Sequence, residues 1–248
     1  MIILPAIDIK DGMCVRLYKG DYSTAHKVAD SAVETAKKFE ADGAKYMHMV
    51  DLDGAKDGKR VNSDVILEVR KNCGLKIEVG GGIRSMDSVE FYLENGIDRV
   101  ILGSAAIKNP EFVKEAVKNY ASKIAVSVDA LNGMVSADGW TDTSEINYIE
   151  LSKRMEDIGV QYIIFTDISK DGMLSGPNLT MLDELKASVS CNIIASGGVS
   201  NLKDIINLTD LDIYGAICGK SIYSGTLELS QAIEVAHAAK HNGKGANI

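Results

Sequence analysis

The chain has 248 residues, 46% of them hydrophobic, and carries 27 Lys and Arg against 35 Asp and Glu for a formal net charge of −8. That is enough apolar material for one large core, at a length where an α/β barrel forms a single domain. The acidic balance argues against a nucleic acid or a membrane surface as partner, since both favour a basic face, and no apolar run is long enough to cross a bilayer.

Ile2-Ile3-Leu4 gives way to polar residues by Asp8, too soon for a signal peptide. Strands are predicted over Ile2–Ile9, Lys45–Asp51, Lys76–Val79, Arg99–Gly103, Lys123–Asp129, Gln161–Thr166, Asn192–Ala195 and Ile213–Gly219. These runs are nearly continuous in apolar character, which suits parallel strands buried on both faces. Helical patterns fill the intervals. Asn109-Pro110 sets a capping side chain before a proline at the first helical position, and Ser63, Ser85 and Ser200 are candidate caps of the same kind. Leu227 to Lys240 reads as a closing helix, and His241 to Ile248 as a frayed tail. Cys14, Cys73, Cys191 and Cys218 lie far apart, with no CxxC or Cys/His cluster. They are expected as buried, reduced thiols of a cytoplasmic protein with no metal site.

The sequence also repeats itself. Gly81 and Gly197, Asp51 and Asp167, and Gly103 and Gly219 each stand 116 residues apart. Strand, turn and helix recurring eight times around this offset predict a (β/α)8 TIM barrel built from two duplicated half-barrels, about 1–122 and 123–240, in a single domain.

In that fold the site lies at the C-terminal ends of the strands. Glycines stand there in both halves: Gly81 and Gly82 with Gly103-Ser104, and Gly197-Gly198 with Gly219-Lys220. Glycine lets a turn bring backbone N–H groups close to an anion, and a helix starting just beyond adds its free amides. One such pair could be only a tight turn; matched pairs in both halves point to two phosphate sites on opposite sides of one mouth. Valine at Gly82 or Gly198 is then expected to impair ligand binding more than folding.

Asp8 and Asp129 end the first strand of each half. Such aspartates either cap loops or act as an acid and base pair, and their equivalent placement favours the second reading. Thr166 is a third candidate, orienting the reacting centre. If Ile164 and Thr166 point inward, so do His48 and Val50. His48 is then either a substrate contact or a core histidine bonded to backbone, while Asp51 and Asp167 fall out of phase and are expected to hold loops. Trp140 either stacks on a ligand ring or anchors its loop. Arg84 follows the first glycine turn and is expected to meet a phosphate or another polar group of the ligand, where the second half has Ser200.

Leu4-Pro5-Ala6-Ile7-Asp8-Ile9-Lys10-Asp11-Gly12, Arg16-Leu17-Tyr18-Lys19-Gly20-Asp21-Tyr22, Val50-Asp51-Leu52-Asp53-Gly54-Ala55, Val79-Gly80-Gly81-Gly82-Ile83-Arg84, Phe165-Thr166-Asp167-Ile168-Ser169-Lys170-Asp171-Gly172 and Ser175-Gly176-Pro177-Asn178 together resemble one family along essentially the whole chain. It is the histidine-pathway isomerase family that acts on phosphoribosylformimino-5-aminoimidazole carboxamide ribotide. The glycine turns are shared with a sister family, the cyclase subunit of imidazole glycerol phosphate synthase, but the RLYKGDY loop and the Phe-Thr-Asp strand ending favour the isomerase.

The resemblance implies an aldose to ketose conversion of a bisphosphorylated small molecule with no cofactor, with Asp129 as acid and Asp8 as base. It implies substrate contacts from Arg16, Lys19, Gly20, Gly176 and Trp140, which would lie over the imidazole ring. A bifunctional isomerase that also takes phosphoribosyl anthranilate stays open, and a monomer is expected.

Overall fold

The computed structural model describes residues 1–18, 20–137, 140 and 142–242. Its strands in chain order are β1 Ile2–Lys10, β2 Met13–Tyr18, β3 Asp21–Ala29, β4 Tyr46–Asp51, β5 Lys76–Gly80, β6 Arg99–Leu102, β7 Ile124–Leu131, β8 Met134–Ala137, β9 Asp142–Asn147, β10 Tyr162–Asp167, β11 Asn192–Ser196 and β12 Gly215–Cys218. The helices are α1 Ala32–Ala41, α2 Leu52–Asp57, α3 Ser63–Asn72, α4 Met86–Glu94, α5 Ala105–Lys108, α6 Pro110–Tyr120, α7 Tyr148–Asp157, α8 Leu179–Ser188, α9 Leu202–Asp210, α10 Lys220–Tyr223 and α11 Leu229–Asn242.

Eight of the strands close a parallel ring in the order β1, β4, β5, β6, β7, β10, β11, β12 and back to β1. With helices on the outside this is a (β/α)8 TIM barrel. Alternation along each strand gives it two apolar regions. Met47, Met49, Ile77, Val79, Val126, Val128, Ile163 and Phe165 face outward against the helices. Leu4, Ala6, Ile101, Ala125, Ile164, Ile194 and Ile217 fill the lumen.

The helix starts follow local chemistry. Phe112 N–H donates to Asn109 Oδ1 at 3.2 Å and Ser88 N–H to Ser85 Oγ at 3.3 Å. The other two expected caps are corrected. Ser63 is the first residue of α3, behind Asn62, and Ser200 is displaced by Asn201, which forms a capping box with Asp204 at the start of α9. That box satisfies two backbone donors where a lone serine would satisfy one. The closing helix begins at Leu229 and continues through His241 to Asn242, past the expected boundary of the tail.

The remaining strands form two antiparallel additions at the mouth. β2 and β3 extend β1, and β8 and β9 extend β7. Among the described residues no helix is long and apolar enough to cross a membrane.

Candidate active site

The C-terminal ends of the barrel strands surround a cavity of about 250 Å³. Asp8, on β1, and Asp129, on β7, stand on strands halfway round the ring from each other and both line it. Each carboxylate is held by a side chain from a mouth hairpin or its loop. Arg16 on β2 places Nη1 2.8 Å from Asp8 Oδ2, with both side chains mostly buried. Asp129 accepts from Trp140 Nε1 at 2.8 Å and from Ser127 Oγ at 2.6 Å.

Thr166 lies beside Asp129 in the β10–β7 register and is buried in the same wall. His48, Val50 and Ile164 face the cavity as the alternation requires. His48 is not a core histidine bonded to backbone: its Nδ1 pairs with the side chain of Glu78 at 2.8 Å. Asp51 and Asp167 turn away from the mouth. Asp51 accepts from the backbone of Gly54, Val61 and Asn62, and Asp167 from Ser169 and Asn178.

Two glycine turns flank the carboxylates, at the ends of β5 and β6 on one side and of β11 and β12 on the other. In each pair the second strand leads directly into a short helix, α5 after Gly103-Ser104 and α10 after Gly219. The second pair, on the last two barrel strands, stands where barrels of this type frequently bind a phosphate, at the loops of those strands and a short extra helix.

The turns are tight for a physical reason. Gly81 has φ +106° and a side chain there would strike Asp51 O; Gly82 has φ +73° and would strike Gly54 O; Gly198 has φ +86° and would strike Gly176 O. Valine at Gly82 or Gly198 therefore breaks the turn itself, and the expectation that such a change would act mainly on binding is corrected. Gly103 differs, because a Cβ there would have nothing within 4 Å.

The family model described as "Histidine biosynthesis protein" matches residues 2–228. The chain belongs to this family. Three relatives are 1-(5-phosphoribosyl)-5-((5-phosphoribosylamino)methylideneamino) imidazole-4-carboxamide isomerases. That of Clostridium kluyveri is 56% identical over 235 residues, 95% of this chain and 99% of the relative. Those of Clostridium novyi (strain NT) and Clostridium botulinum (strain Hall) are 51% and 50% identical over 95% of this chain, and 99% and 97% of their own lengths.

Most of the expected ligand contacts line the cavity: Arg16, Gly20, His48, Gly81, Gly82, Arg84, Gly103, Ser104, Trp140, Gly197, Gly198, Gly219 and Lys220. Arg84 Nη2 also donates to Ala55 O at 3.1 Å, and Lys220 Nζ to Gly172 O at 2.6 Å. Lys19 lies outside the described residues. Gly176 is a correction: it is not part of the cavity wall but stands behind it, donating its N–H to Gly198 O at 3.0 Å. It shapes the second glycine turn from outside.

The pattern of strand ends did not single out Asp171, Ser127 or Tyr22, which also line the cavity. Asp171 is the most informative of these. Burial pushes its carboxyl above the usual carboxylate range, with Asp8 and Asp129 adding to the shift and Arg16 and Lys220 opposing it. Tyr22 is pushed up as well, first by burial and then by Asp53, Asp51 and Asp8, and its hydroxyl donates to Leu52 O at 2.9 Å. Among the described residues no three His, Cys, Asp or Glu side chains converge as a bound metal would require.

Proposed function

We propose that this chain is an aldose–ketose isomerase of histidine biosynthesis, converting the bisphosphorylated formimino-aminoimidazole carboxamide ribotide to its phosphoribulosyl form. The observation that carries the reading is a single cavity with carboxylates on opposed strands between two glycine turns, one for each phosphate of a two-ended ligand. The relatives' activity agrees with that arrangement.

The reaction needs a proton delivered to the ribose ring oxygen, so that the C1′–O bond opens and nitrogen forms a C=N bond. It then needs the C2′ proton removed, so that the carbonyl moves to C2′ as C1′ is protonated. One acid and one base suffice. Asp8 is the base. For the acid, Asp129 was the expectation from the resemblance, but both of its oxygens accept hydrogen bonds here, whereas Asp171 is the group whose surroundings favour its neutral form. We therefore assign the proton donor as Asp171, with Asp129 and Thr166 orienting the reacting centre beside it. Raising the pKa of a carboxyl by its environment is a recurrent route to acid catalysis.

The four thiols are unpaired, which supports a cytoplasmic location, with Cys14 and Cys218 buried and Cys73 and Cys191 only partly so, correcting the expectation that all four are buried. The test is to give the purified protein the bisphosphorylated ribotide and follow the ketose product. Absence of turnover would overturn the assignment. Phosphoribosyl anthranilate offered in parallel decides whether the second substrate is also taken.

A further inference from the structure

The barrel lumen is lined by aliphatic side chains, yet one polar column crosses it. His48, Glu78 and Arg99 occupy neighbouring strands β4, β5 and β6 and are aligned by register, His48 with Glu78 and Glu78 with Arg99. Glu78 is fully buried and Arg99 is 2% exposed. His48 Nδ1 is 2.8 Å from Glu78 Oε1, and Arg99 Nε is 3.2 Å from Glu78 Oε2. The guanidinium is held between the rings of Tyr46 and Tyr162, at 4.7 and 4.1 Å from their centroids. At its upper end the column reaches the mouth, because His48 lines the cavity.

The fold does not require this column. At the positions 116 residues further on stand Ile164, Ile194 and Gly215, apolar residues on the opposite side of the same ring. Removing a buried ion pair in favour of well-packed apolar groups is often neutral or stabilising, so stability alone gives no account of it. Its chemical consequence is specific. Arg99 sets its positive charge 3.2 Å from Glu78 Oε2, and a carboxylate can only accept hydrogen bonds. His48 must therefore carry its hydrogen on Nδ1, which leaves Nε2 for the cavity, since the partner of one ring nitrogen sets the state of the other.

We propose that Glu78 and Arg99 are positioning residues for His48, and that His48 Nε2 accepts a hydrogen bond from an N–H or O–H group of the ligand between its two phosphates. The column stands only on the first-half side of the mouth, so it helps to distinguish the ends of a ligand with a phosphate at each end. The identity of that ligand rests on the proposed function; the hold of Glu78 on His48 does not.

The first measurement is made on the unaltered protein. In a histidine-labelled nitrogen NMR spectrum, the His48 signals among the four histidines are identified by their loss in His48→Asn. The Nδ1–H tautomer is expected, and a predominant Nε2–H form would overturn the proposal. The paired replacement Glu78→Leu with Arg99→Leu removes both charges together. It is expected to leave His48 with no fixed tautomer and to raise KM about tenfold with little change in kcat, the scale of one lost hydrogen bond used equally in ground and transition states. Adding His48→Asn to that pair is expected to cost nothing further, because coupled residues are not additive. A wild-type KM in the paired variant, or an additive loss, would overturn the proposal. If the paired variant does not fold, the wild-type tautomer and the KM of His48→Asn decide, and a wild-type KM in His48→Asn counts against it. A protein that turns over no ribotide would remove the proposed function while the tautomer measurement still reports on Glu78, so the two failures are separable.

Discussion

At the scale of single residues, the mouth holds three carboxylates in different surroundings. Asp8→Asn and Asp171→Asn are each expected to lower kcat by at least about a hundredfold, the usual scale for a general acid or base. Asp129→Asn is expected to cost less than Asp171→Asn, and steady-state kinetics showing the reverse order would return the acid role to Asp129. Asp171 also gives a prediction for stability. Its folded-state carboxyl titrates above the unfolded value of 3.8, so between those two values the folded protein holds a proton that the unfolded chain has lost. Stability contributed there falls as pH rises. Asp171→Asn is thus expected to raise Tm at pH 7 relative to wild type and to lose that advantage as the pH is lowered toward 4, measured by thermal melts across the range. Equal gains at both pH values would show that the shift has another source. Asp8 and Asp129 were readable in the sequence because each closes a run of apolar residues, although β1 and β7 both continue two residues beyond them. Asp171 was not, because it lies in a polar turn beyond Asp167, and its burial arises only when Arg16, Asp8 and Asp129 converge on it from other elements.

At the scale of elements, the eight barrel strands were readable because apolar runs buried on both faces leave a continuous signal. The mouth hairpins were not. β3, Asp21–Ala29, is largely half-exposed and mixes charged and polar residues with a few apolar ones, so its pattern resembles a loop. Yet β2 delivers Arg16 to the mouth, and the β8–β9 connection delivers Trp140. The glycine turns separate structure from binding in a way that sequence alone did not. Gly82→Val is expected to lower Tm by several degrees, since its left-handed φ and the overlap with Gly54 O are both structural, and 1 kcal/mol is roughly 2–4 °C at this size. Gly103→Ala adds a methyl group with nothing near it and is expected to keep Tm while raising KM about tenfold, by crowding the approach of a phosphate to the β6 turn. An unchanged KM in that variant would remove Gly103 from the phosphate site.

At the scale of the whole molecule, the mouth is closed by contacts between distant parts of the chain. Trp140 sits at φ +72°, a conformation that costs a non-glycine residue on the order of 1–3 kcal/mol and persists only where its surroundings enforce it. Its ring covers Gly20, where any side chain would strike it, and its Nε1 holds Asp129. Arg16 holds Asp8 and lies over Gly219, where a Cβ would come within 2.6 Å of the guanidinium. The Asp8 and Asp129 side chains are therefore both engaged by the mouth hairpins, and a ligand that seats a phosphate by Gly219 and an aromatic ring by Gly20 must compete for both. Trp140 fluorescence is accordingly expected to change when substrate or product binds. Trp140→Ala is expected to weaken the imidazole-bearing substrate by roughly 1–3 kcal/mol, the magnitude of base–aromatic stacking. Trp140→Phe separates the two contacts, since it keeps a ring for stacking and loses the donor to Asp129. A KM near wild type with reduced kcat in Trp140→Phe would place the indole N–H in the chemistry, whereas normal binding and turnover in Trp140→Ala would leave Trp140 as a loop anchor alone.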